Sequence, residues 1–143
     1  MAVIGTRTRK NLDTVHPELR GTVARALVAA PEWLDFAVIS GARSAEEQHE
    51  LWLKGRDEAG MIVDQSKVVT YKDGYNRISN HQPKADGWGA AIDIVAYKDG
   101  QITWDEKEIA IRAAYIVGFA ASEGIRLEGG VRWKWDYGHV ERV

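Results

Sequence analysis

The chain has 143 residues, 45% apolar and 28% charged, a formal net charge of −2, four histidines and no cysteine. A single domain of this size buries about two thirds of the surface its unfolded chain exposes, so it needs no covalent staple. The missing cysteines exclude disulfides, thiolate zinc sites and a thiol nucleophile, which leaves histidine and carboxylate as the strong metal donors. No apolar run reaches the roughly 18 residues that cross a bilayer, and residues 1–10 carry charges without the apolar stretch of a secretory signal. The Lys and Arg residues are dispersed, which argues against a nucleic-acid partner, whose binder carries a basic stripe.

In chain order, a first helix is expected to start between Thr14 and Pro17, to bury Leu19, Val23, Leu27 and Ala30, and to end at Pro31. Residues 36–39 are apolar and β-prone and read as a strand. Ser44 opens a second helix, with Glu47 completing a capping box, Leu51 and Trp52 facing inward and Gly55 ending it. From residue 56 to 89 Gly, Asp, Asn and Lys break the pattern, and only residues 61–63 and 67–71 read as short strands. A loop this long in a compact domain is more often functional than idle. Residues 90–95 return to a strand. A third helix starts near Thr103, paired with Glu106, and runs through Ile109, Ala113, Ile116, Val117 and Ala120 to Gly124. Closing strands follow near residues 125–127 and 138–142. Helices mixed with short strands, without a regular βαβ repeat, indicate an α+β fold with a small antiparallel sheet and about three helices. The whole chain, 1–143, reads as a single domain.

Two of the four histidines sit in bland settings: His16 precedes Pro17 at a helix start, and His49 lies among Glu46, Glu47 and Glu50 on a solvated helix face. His81 and His139 instead occupy Gly- and turn-rich segments with carboxylates nearby. Strand alternation places Asp93 on one face with Ala91 and Val95. An aspartate among apolar neighbours is costly unless it is paired or metal-bound. His139 lies on a terminal strand and Asp136 in the turn before it. Residues three apart face opposite sides of a regular strand, so that turn is needed for both to reach one site. Two His and one Asp, with a position left for water, suit a catalytic Zn²⁺. A further carboxylate is then needed to move the water's proton, and Asp136 is placed for it.

The motifs in combination say more. Ser40-Gly41-Ala42-Arg43-Ser44 with Glu47-Gln48, then Ser79-Asn80-His81 with Gly89-Ala90-Ala91-Ile92-Asp93, then Asp136-Tyr137-Gly138-His139-Val140-Glu141 stand in order along nearly the whole chain. This pattern resembles the LAS-type zinc peptidases, the group of D-Ala-D-Ala carboxypeptidases and phage L-alanyl-D-glutamate peptidases, and in particular compact single-domain endolysins of phages with Gram-negative hosts. The resemblance implies a Hedgehog/D-Ala-D-Ala-peptidase-like fold. It implies zinc ligands His81, Asp93 and His139, Asp136 as general base, Arg43 as oxyanion stabiliser and Ser79 as a substrate-positioning residue. The substrate implied is the stem peptide of bacterial peptidoglycan, cut by a monomer. The enzyme is expected in the host cytoplasm, reaching the periplasmic wall through a holin-type pore without inserting in the membrane. One departure stands out: eleven residues separate His81 from Asp93, as if a turn within residues 82–87 had been inserted. That turn could reshape the cleft, or Asp86 could compete with Asp93 as ligand.

Plainer readings stay open. Arg43 could pair with Glu47, Ser79 could be a turn residue, and Trp133 and Trp135 could be core aromatics rather than walls of a groove. Residues 67–72 could contact the anionic wall or form a solvated loop. At the level of function, the motifs do not separate an L-alanyl-D-glutamate endopeptidase from a D-Ala-D-Ala carboxypeptidase. A non-catalytic, zinc-stabilised wall-binding module is the alternative from another class, and Asp136 beside His139 argues against it.

Overall fold

The computed structural model describes residues 4–130 and 135–143. Its elements run α1 (Thr6–Leu12), α2 (Pro17–Ala29), β1 (Phe36–Ser40), α3 (Ala45–Leu53), β2 (Ala91–Lys98), β3 (Gln101–Thr103), α4 (Glu106–Ser122), β4 (Leu127–Gly129) and β5 (His139–Arg142). The strands form one antiparallel sheet in the order β1-β2-β5-β4, with β3 pairing the far end of β2. The class is α+β, with four α-helices among the described residues where the sequence suggests three.

β2 is central because it is apolar on both faces: Ala91, Ile92, Ile94, Val95 and Ala96 are all buried. The apolar stripes of α2 (Leu19, Val23, Leu27) and α4 (Ile109, Ala113, Ile116) close over Val38, Ile92, Ile94 and Val140 to form one core. β2 runs to Lys98 rather than stopping at residue 95. It then reverses at Asp99 and Gly100, both at positive φ (52° and 78°), into β3. That is the left-handed pair a two-residue hairpin requires.

The helix absent from the sequence reading is α1, a short polar segment with no apolar stripe. It forms because it covers an edge. Thr8 accepts the Val38 N–H (3.1 Å) and the Asn11 amide donates to the Val38 carbonyl (2.9 Å), so its side chains complete the outer side of β1, an exposed strand edge otherwise.

Other boundaries also move. α2 begins at Pro17 as expected, with His16 as its cap accepting the Glu18 N–H. In α3 the Ser44–Glu47 capping box is present, but the buried residue is Gln48, while Leu51 and Trp52 are half-buried. α4 is capped by Asp105, which accepts the N–H groups of Lys107 and Glu108, and Thr103 belongs to β3. The strands expected at 61–63 and 67–71 are absent, leaving one isolated bridge, Arg56 to Ile62, and a 3-10 turn at Gln65–Lys67. Met61, Val63, Val69 and Tyr71 are exposed, with no sheet to pack on. Asp57, Asp64, Thr70 and Asp73 bond nearby backbone N–H groups instead, which competes with ladder formation.

Arg112 occupies a core position on α4 and is fully buried. Its guanidinium donates to the carbonyls of Trp33, Asp35 and Glu108 and to the Glu108 carboxylate, tying α4 to the chain entering β1. Arg112→Met keeps the volume but strands these acceptors, and should cost about 3 kcal/mol in a urea unfolding titration. A loss under about 1 kcal/mol would show that these carbonyls find water instead.

Candidate metal centre

The β2–β5 ladder sets Asp93 directly opposite His139, so the two side chains share a face. On the other side of β2 a bulge between Val38 and Ser40 brings Ser40, not Ile39, opposite Asp93. A bulge of this kind re-aims side chains beside a site. His81 enters from a loop held on several sides. Its carbonyl accepts the Arg43 N–H (2.8 Å), its N–H donates to Ser79 Oγ (3.2 Å), and Ala90 N–H bonds the Asn80 carbonyl (2.8 Å).

Each imidazole is oriented by its outer nitrogen. His81 Nδ1 lies 2.9 Å from the Gly41 carbonyl, which leaves Nε2 3.2 Å from Asp93 Oδ2. Gly41 must lack a side chain: a Cβ there would fall 2.3 Å from the Asn11 carbonyl oxygen. His139 is turned the other way, with Nε2 2.9 Å from Glu141 Oε1 and Nδ1 3.5 Å from Asp93 Oδ1. Asn80 Nδ2 in turn donates to Glu141 Oε2 (2.7 Å). One ligand atom from each of His81, Asp93 and His139 lies within 4.8 Å of the others. Two imidazole nitrogens and a carboxylate oxygen at that spacing form a donor set that could hold a divalent metal ion.

Asp136 reaches the same place through a turn. Its backbone is left-handed (φ 51°), its carbonyl accepts the His139 N–H, and its Oδ2 is 3.7 Å from His139 Nδ1. Loss of surrounding water, and next the charge of Asp93, raise its carboxyl above the usual value, against the pull of both imidazoles and Arg43. Burial acts to raise Asp93 as well, but hydrogen bonds from His139 and His81 outweigh it and hold that carboxyl far below the normal range. Burial opposes a charged His139, yet Asp93 and Glu141 push it up to about 9. The hydrogen bond from His139 lowers Glu141 in turn. Carboxylates dominate this centre, and it favours added positive charge.

Arg43 bonds Asp93 Oδ2 (3.3 Å), Ser40 Oγ (3.1 Å) and Gln48 Oε1 (2.8 Å), and not Glu47. Ser79 is buried, with its Oγ accepting the His81 N–H. The centre opens into a cleft of about 740 Å³ whose walls include Arg43, Leu51, Tyr71, Ser79 and Trp135. Trp135 is an exposed wall rather than a core residue, and Trp133 lies outside the described residues.

The turn after His81, read from the sequence as an insertion, points elsewhere. Lys84 and Trp88 pair across it, Pro83 to Gly87 are exposed, and Trp88 packs beneath the Arg20 guanidinium (4.8 Å). Asp86 sits 3.9 Å from His16 Nε2 and outside the metal-type cluster. His49 is not on a solvated face: it is half-buried, stacked on Trp52 (5.3 Å), with Nδ1 3.0 Å from the Asp73 carbonyl. Two contributors went unassigned in the sequence, Gln48 and Glu141. The Gln that follows the capping-box Glu, and the i+2 spacing of Glu141 from His139 on one strand face, were the available signals.

Known proteins match this chain over nearly its whole length. The model of the family described as phage L-alanyl-D-glutamate peptidase matches residues 2–142. The L-alanyl-D-glutamate peptidase of Escherichia phage T5 is 30% identical over 155 aligned positions, which cover 97% of this chain and 96% of that protein. The peptidoglycan L-alanyl-D-glutamate endopeptidase CwlK of Bacillus subtilis (strain 168) is 29% identical, covering 90% and 74% respectively. Among solved structures, the Serratia marcescens L-Ala D-Glu endopeptidase ChiX superposes with a TM-score of 0.67 and 25% identity, over 100% of this chain and 90% of its own. The chain therefore belongs to the phage L-alanyl-D-glutamate peptidase family.

Proposed function

We propose that this chain is a zinc-dependent endopeptidase that hydrolyses the bond between L-alanine and D-glutamate in the peptidoglycan stem peptide, as an endolysin that opens the host wall. The observation that carries the reading is the convergence of His81, Asp93 and His139 within 4.8 Å, beside a cleft. The relatives are named for that bond, which favours it over D-Ala-D-Ala.

In this reading His81 through Nε2, His139 through Nδ1 and Asp93 would hold the ion. Zinc bound there supplies a Lewis acid that polarises the scissile carbonyl and makes water a better nucleophile. Asp136 accepts the proton of the attacking water and delivers it to the departing nitrogen of D-glutamate. Arg43, fixed by Gln48 and Ser40, stabilises the negative charge that grows on the carbonyl oxygen. Ser79, at the cleft wall, orients the substrate backbone.

Asp136→Asn removes the base and leaves the three donors intact. It should retain bound zinc by elemental analysis while clearing purified sacculi about 100-fold or more slowly. Wild-type clearing by this variant would remove Asp136 from the mechanism. For the wild type, mass spectrometry of the digest should show new D-glutamate amino termini; loss of terminal alanine alone would mark a carboxypeptidase.

Glu141 fixes the ring of His139 from outside the donor set. Glu141→Ala should weaken zinc binding by about 10- to 100-fold in a chelator competition, and Glu141→Gln by less, since the amide oxygen still accepts from Nε2. Unchanged affinity in both variants would show that packing alone orients the ring.

A further inference from the structure

Resting on that reading, the substrate poses an electrostatic problem. D-glutamate has two carboxyl groups, and with its nitrogen in the scissile bond only one of them can continue the peptide. A free carboxylate therefore lies a few bonds from the reacting centre unless the wall is amidated. Asp136 and Glu141, which hold no metal in that reading, line the cleft and repel it. Arg43, held by Asp93, Ser40 and Gln48, is given to the scissile carbonyl in that reading.

Lys72 and Arg77 line the same cleft. Both are exposed, and neither side chain forms an ion pair or hydrogen bond among the described residues.

The segment that carries them is clamped to a degree a solvated loop does not need. Gln48, almost fully buried, donates to the Lys72 carbonyl (2.8 Å) and to Thr70 Oγ1 (3.3 Å). The buried Gln82 donates to the Gly74 carbonyl (2.9 Å). The Asp73 carboxylate accepts the N–H groups of Arg77 (2.8 Å), Tyr75 (3.1 Å) and Asn76 (2.9 Å), which hold it down at about 2. Gly74 (φ 90°) packs so closely on α3 that a Cβ would meet the Ala45 carbonyl oxygen at 2.7 Å. Gln48 also holds Arg43, so Arg43 and Lys72 share one framework. Two cations with no ion-pair partner among the described residues, on a tethered cleft wall, form a preorganised anion site.

We propose that Lys72 and Arg77 form a subsite for the free carboxylate of the D-glutamate on the leaving side of the scissile bond, making the enzyme selective for the non-amidated stem peptide.

The test uses synthetic muramoyl peptides that carry this D-glutamate carboxylate either free or as the amide. The wild type should show kcat/KM about tenfold higher on the free acid, mainly through KM. Lys72→Met and Arg77→Met should each shrink that preference, and the double variant should bring it to within about twofold. Lys67→Met, an exposed charge change on the same segment, should keep it. Equal rates of the wild type on both peptides, or a full preference retained in the double variant, overturns the inference while leaving the peptidase reading intact. Cleavage of neither peptide by zinc-loaded wild type overturns both.

Discussion

The pairing of β2 with β5 is the constraint on which the site depends. It brings Asp93 and His139, far apart in the chain, to opposite positions on neighbouring strands, and the core holds that register. Val140, between His139 and Glu141, is fully buried beside Ile92 and Ile94. A one-residue slip would turn Val140 toward the cleft and both His139 and Glu141 into the core. The apolar residues of the sheet thus fix the polar geometry: the face that is buried decides which face does chemistry.

Beyond Glu141 on His139 and Arg43 on Asp93, position around that pair comes from neutral groups rather than from further charge. Gly41 and Ser79 orient His81 through a carbonyl and a hydroxyl, and Asn80 steadies Glu141. This matters because carboxylates already crowd the centre, and another one buried nearby would have to protonate or find a cation of its own. Neutral hydrogen-bonding groups can hold an acidic site rigid without adding to its self-repulsion. Gln48 shows the same economy, using one amide to tether Arg43 with its oxygen and the cleft loop with its nitrogen.

The sequence made legible what rests on local pattern. The stripe of α2, the Ser44–Glu47 box, β1 and the Asp-x-x-His turn were readable because each follows from spacing within a few residues. α1 was not readable: Thr8 and Asn11 acquire their roles only against Val38, some thirty residues away. The Asp99-Gly100 hairpin did carry a local signal, which a reading that ended the strand at residue 95 passed over. Arg112 resembles any exposed helical charge until the carbonyls of Trp33 and Asp35 come into view. In the site, the three metal-type donors stood out because His and Asp in apolar or Gly-rich settings are conspicuous. The bulge that replaces Ile39 with Ser40 opposite Asp93 leaves no trace in the pattern of β1.

The long segment between α3 and His81 gains a physical reason from these contacts. A strand there would need a neighbour along its edge and a surface to bury. Asp57, Asp64, Thr70 and Asp73 satisfy backbone N–H groups locally instead, so the chain becomes a rigid wall without joining the sheet. The turn after His81 is handled in the opposite way. It is anchored on the far side, where His16 N–H bonds the Gly89 carbonyl and Trp88 lies under Arg20. The residues between His81 and Asp93 are thereby kept out of the cleft lining, and the chain runs from one side chain to the other without crossing the space in front of them.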